Sequence, residues 1–101
     1  MAVAETLVMR VPLDQRRHYL ACMQELKQHL AQVPGVARFL VLEDRERLGQ
    51  FIEIIEYASG EAHAALEASE PFTRRLREID AKVEALAPGL GRDRRPMHDR
   101  L

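Results

Sequence analysis

Two stretches, VARFLVLE (Val36 to Glu43) and QFIEIIEY (Gln50 to Tyr57), constrain this chain more than anything else in it. Both have the length and the β-branched and aromatic content of strands. Neither has a polar side. Val36 to Glu43 sets Phe39 and Val41 against Leu40 and Leu42, and Gln50 to Tyr57 sets Ile52 and Ile54 against Phe51, Ile55 and Tyr57. An antiparallel sheet with one wet face alternates apolar and polar residues, and this one has apolar residues on both faces. Helices can cover one of them. The other must meet something, because a soluble monomer rarely exposes an apolar patch of that size. Burying about 400 Å² of it per protomer is worth on the order of 10 kcal/mol before association costs. The expected partner is a second copy of the chain, packed sheet to sheet as a homodimer.

The remaining elements fall around these strands. Val3 to Val11 alternates, with Leu7, Met9 and Val11 on one side and Thr6, Val8 and Arg10 on the other, and Pro12 closes it. Asp14 then caps a helix whose apolar face is Tyr19, Met23, Leu26, Leu30 and Val33, stopped by Pro34-Gly35. Ser59 caps a short helix running to Ala68. Ser69 caps another, with Pro71 in its first turn and Phe72, Leu76, Ile79, Val83 and Leu86 on one face, ending at Pro88-Gly89. The order is β-α-β-β-α. This predicts an α+β, ferredoxin-like protomer with an antiparallel sheet covered by helices on one face and dimerising through the other. Residues 1–90 form the single domain. No strand is expected after Leu86, and residues 91–101 read as a polar, mobile tail.

Composition narrows the function classes. The chain has 101 residues, with 15 basic against 16 acidic side chains and a net charge of −1. That length suits one domain, and that charge gives no long-range field for nucleic acid or an anionic membrane. No apolar run approaches the length of a membrane span, and MAVAETLVMR lacks the features of a signal peptide. The single cysteine, Cys22, cannot staple the fold, so a cytoplasmic location is expected.

The segment FIEIIEYASGEAHAALEASEPFTRRLREIDAKV resembles the dimeric α+β barrel superfamily, which includes antibiotic-biosynthesis monooxygenase-like and stress-responsive barrel proteins. The likeness lies in a strand with two glutamates and a terminal aromatic, a serine-capped alanine-rich helix, and then a proline-started helix. It implies a small cytoplasmic homodimer with a pocket between sheet and helices. The implied activity is cofactor-independent and monooxygenase-like or isomerase-like, on a small, partly aromatic ligand. Haem degradation is disfavoured, since the superfamily enzymes that do it rely on Asn and Trp beside His, and this chain has neither. The alternative from a different class is a non-catalytic ligand-binding or assembly module.

Within that frame His63 is the candidate base, because an imidazole titrates near neutrality. Its plain alternative is an exposed helix histidine paired with Glu67. Tyr19, Met23, Phe51, Tyr57 and Phe72 are the expected ligand-lining residues, with Arg10 or Arg38 as an anion anchor. Arg10 or Arg38 pairing with Glu53 inside a barrel is the structural alternative. His18, Cys22, Glu25 and His29 share one stripe of the first long helix, but it spans about 16 Å, too far for one ion to use all four. No metal and no cofactor are expected. Arg74, Arg75 and Arg77, with Arg92, Arg94 and Arg95, form basic clusters interleaved with acids, and they read as solvated surface.

Overall fold

The computed structural model describes residues 3–87 and 94–101. Its elements are β1 (Val3–Arg10), a 3₁₀ turn (Leu13–Gln15), α1 (Arg16–Leu30), β2 (Val36–Glu43), β3 (Gln50–Tyr57), α2 (Gly60–Glu67), α3 (Glu70–Leu86) and β4 (Arg95–His98). The sheet order is β2-β3-β1-β4, and every neighbouring pair is antiparallel. This is the expected α+β, ferredoxin-like arrangement, here with its fourth strand. Pro88-Gly89 and Arg92 lie outside the described residues.

The strand β4 corrects the expectation of a strandless tail over Arg95–His98. The sequence RPMH has no alternation and every residue in it is exposed. Its pairing comes from the open edge of β1, with Val3 opposite His98 and Thr6 opposite Arg95. Proline is tolerated there because an edge strand needs only half of its backbone groups paired.

Register decides which face each side chain takes. Val3, Leu7 and Met9 of β1 and Phe51, Ile55 and Tyr57 of β3 point to the helices and are buried. There Met9, Phe51, Ile55 and Tyr57 meet Tyr19, Met23, Leu26 and Leu30 of α1 and Phe72, Ile79 and Val83 of α3, the stripes that helical spacing places on one side. The opposite face carries Val8, Leu42 and Ile52, neighbours across three strands, together with Met97 of β4. All four are exposed, Val8 at 66% and Ile52 at 41%. The two-faced sheet is therefore a feature of the fold.

Three helix ends show how local chemistry sets the boundaries. Asp14 does not cap α1: the chain first closes a 3₁₀ turn, with Gln15 N–H donating to the Pro12 carbonyl at 2.9 Å, and the helix starts at Arg16. Ser59 does cap α2, its hydroxyl accepting from the Ala62 N–H at 3.0 Å. Ser69 precedes α3 without a side-chain cap, and Pro71 occupies the first turn, where a missing N–H costs nothing. No described helix is long and apolar enough to cross a membrane.

Candidate functional site

Polar side chains inside this apolar core fall into two groups. The first begins with Glu5, whose place on β1 sends its carboxylate to the helix side, beside the end of β3. Tyr57, the last residue of β3, donates its hydroxyl to Glu5 Oε1. Burial first, and the Glu5 hydrogen bond second, push the phenol pKa well above its usual value. Tyr57 therefore stays protonated and acts as a donor.

His63 of α2 lies over the same spot. Its ring is 4.7 Å from that of Tyr57, centroid to centroid, and the residue is only 9% exposed. Nε2 lies 3.2 Å from Glu67 Oε1, one helical turn on, and 3.8 Å from Glu5 Oε1. Neither contact has hydrogen-bond geometry, so this buried nitrogen has no hydrogen-bond partner. The plain alternative of an exposed histidine is corrected: α2 turns its His63 side toward the sheet, where the ring packs on Tyr57. Contact with Glu67 holds, and Glu67 itself reaches solvent, with a side chain 60% exposed.

The second group centres on Glu53, wholly buried in the middle of β3. Tyr19 of α1 donates to Oε2 at 2.8 Å, and Arg94, just before β4, donates to Oε1 at 2.9 Å. The same Arg94 nitrogen reaches Asp80 of α3 at 3.0 Å. Nε and Nη1 of Arg94 are buried and make no hydrogen bond.

Neither Arg10 nor Arg38 pairs with Glu53, because strand alternation sends both to the open face while Glu53 faces the helices. Arg38 pairs instead with its cross-strand neighbour Glu56 at 2.8 Å, and Arg10 is exposed beside Gln50. Among the described residues the buried cation on Glu53 is Arg94, which the sequence placed in a solvated cluster. Its one signal was an unmatched glutamate among the apolar residues of QFIEIIEY, which requires a partner from somewhere.

The other predicted ligand residues are divided. Tyr19, Phe51, Tyr57 and Phe72 are buried together in the core, with the Tyr19 and Phe51 rings 4.6 Å apart. Met23 also lines a groove of about 410 Å³ between α1 and β2, with Leu20, Gln24, Lys27, Phe39, Leu40 and Val41. Arg38 borders a neighbouring depression of about 290 Å³. Along the α1 stripe, Glu25 is taken by Arg75 at 2.7 Å and Lys82 at 3.0 Å, which hold its carboxyl below the usual range, the Lys82 hydrogen bond foremost. His29 stacks against Phe72.

The fold has close counterparts among solved structures. A conserved protein from Methanosarcina mazei Go1 superposes with a TM-score of 0.79 at 11% identity, covering 99% of this chain and 94% of that one. SnoaB, a cofactor-independent oxygenase from Streptomyces nogalater, does so with a TM-score of 0.76 at 15% identity, covering 99% and 94%. A structure described as an antibiotic biosynthesis monooxygenase gives a TM-score of 0.67 at 20% identity over 100% and 99%. At these identities the likeness is one of fold. No curated protein sequence matches the chain. The sequence model of the antibiotic biosynthesis monooxygenase family matches residues 2–77, from β1 into α3. This chain belongs to the antibiotic biosynthesis monooxygenase family.

Proposed function

We propose that the protein is a cofactor-independent, monooxygenase-like enzyme acting on a small, partly aromatic ligand, in the cytoplasm, as a homodimer joined through its open sheet face. One observation carries this reading. His63 Nε2 is buried, free of hydrogen bonds, and set beside a tyrosine that is held protonated. An imidazole nitrogen so placed suits removal of a proton from an acidic O–H or C–H. The anion left behind is electron-rich enough to react with dioxygen without a bound redox group. The Tyr57 hydroxyl donates to Glu5 and so fixes the carboxylate that lies 3.8 Å from His63 Nε2. The side of His63 next to solvent is the one occupied by Glu67, whose side chain is 60% exposed, and a ligand would approach from there.

Packing of Tyr19, Phe51 and Phe72 into the core favours a second reading, a non-catalytic ligand-binding or assembly module. Oxygen uptake with a panel of hydroquinones and polycyclic phenols separates the two. His63→Ala is expected to lower turnover by ~10²-fold or more with the fold intact. Absence of uptake across the panel, or a fully active His63→Ala protein, overturns the enzymatic reading.

A further inference from the structure

We propose that Glu5, His63 and Glu67 form a binding site for a first-row divalent cation of the zinc type. One nitrogen or oxygen from each of the three lies within 4.8 Å of the other two. The His63 Nε2 to Glu67 Oε1 separation of 3.2 Å is close to what two ligands of one ion need; with metal–ligand bonds of 2.0–2.1 Å, tetrahedral neighbours stand roughly 3.3 Å apart. The 3.8 Å from Nε2 to Glu5 Oε1 closes with a small movement.

A second observation points to the ion independently of the carboxylates. His63 is nine-tenths buried, and its Nε2 faces both glutamates without a hydrogen bond to either. A buried nitrogen is seldom left this way unless a ligand takes it. Charge argues similarly. Among the described residues the ion-pair contacts of Glu5 and Glu67 are both to His63, whereas Arg94 is engaged with Glu53 and Asp80. The two carboxylates carry two negative charges, which one divalent cation neutralises.

The surroundings have the parts of a supported site. The Tyr57 hydroxyl fixes the Glu5 carboxylate, the outer-shell hydrogen bond that ligating carboxylates use. His63 and Glu67 are one turn apart on α2, so the helix presets their spacing. Glu67 opens to solvent, which gives entry and leaves room for water to complete the shell. One imidazole with two carboxylates, and no sulfur, suits zinc or manganese better than copper(I) or calcium.

This site uses the same imidazole as the proposed base but does not rest on it. A cation on Nε2 occupies the lone pair a base needs, so zinc is expected to inhibit any turnover that depends on His63. The test is calorimetric titration of ZnCl₂ into the Cys22→Ser protein, which removes the lone thiol as a competing ligand. One zinc per chain is expected. Glu67→Gln, a change at an exposed side chain, and His63→Ala should each weaken binding at least tenfold. Tyr57→Phe should weaken it by about ten- to a hundredfold, as loss of an outer-shell partner does. Zinc that fails to bind at ~1 mM, or that binds equally well to His63→Ala and Glu67→Gln, overturns the proposal. Calorimetry reads no turnover, so either result leaves the enzymatic reading to its own assay.

Discussion

Arg94 and Glu53 meet at 2.9 Å inside the molecule, with side chains 7% and 0% exposed, although they lie on either side of both α2 and α3 in the chain. The pair, with Tyr19 and Asp80, is a polar seam through an otherwise apolar interior. A buried ion pair adds little over a well-packed apolar one, yet removing half of it is expensive. Arg94→Met should cost about 3 kcal/mol or more, read from the urea midpoint. Glu53→Leu combined with Arg94→Met should recover most of the loss, and a double variant as unstable as the single would contradict this account.

Acid sensitivity should trace in part to Glu43. Arg16 donates to both of its oxygens, at 2.9 and 2.6 Å, and the Gly49 N–H adds a third bond at 2.9 Å. Led by the Arg16 hydrogen bond, these lower its pKa from 4.5 to about 2. The folded state thus holds the carboxylate more tightly than the unfolded chain does. The stabilisation is complete above the unfolded value of 4.5 and is lost as pH falls toward about 2. Melting temperatures between those limits should fall less steeply for Glu43→Gln than for the parent. Parallel curves would show that the contact contributes nothing.

The turn before β3 depends on Gly49. It adopts a φ of +91°, and a Cβ there would lie 2.5 Å from the Val11 carbonyl oxygen. That carbonyl belongs to the residue whose own N–H donates to Gly49 O at 2.7 Å, so neither side can retreat without losing the bond. Gly49→Ala should destabilise by more than about 1 kcal/mol, visible as a lower melting temperature. An unchanged melting temperature would mean that the turn relaxes freely.

For the proposed homodimer, Val8 and Ile52 are the informative positions, because they face each other across β1 and β3 in the middle of the open face. Ile52→Asp sets a charge in the centre of that patch without touching the core behind it. Light scattering at micromolar concentration should give twice the chain mass for the parent and the single chain mass for Ile52→Asp. A monomeric parent would remove the reason for a two-faced sheet.

How much of this was legible beforehand follows from how far each signal reaches along the chain. The helical stripes and the double-sided strands are local and periodic, and they carried the α+β architecture correctly. Ser59 declared α2 for the same reason. The strand β4 did not show itself, since its pairing is supplied by the edge of β1 and not by its own side chains. Partners of the buried charges were equally hidden. Period-2 alternation already excluded Arg10 and Arg38 once the face of Glu53 was known, but Arg94 comes from 41 residues away, beyond any spacing rule. Of the candidate site, His63 and Tyr57 were named and are brought together. Glu5 was missed, because a lone glutamate in an alternating strand looks like its solvent side.

The position of Arg94 also bears on how the chain is made. On the ribosome, β1, β2, β3 and all three helices emerge before it does. Until then the Glu53 carboxylate lacks the guanidinium that accompanies it in the finished fold. A nascent chain stopped at residue 87 thus holds nearly every apolar contact of the protein but not its internal charge balance. Charge balance in the interior is thereby deferred until after the last of the three helices has been translated.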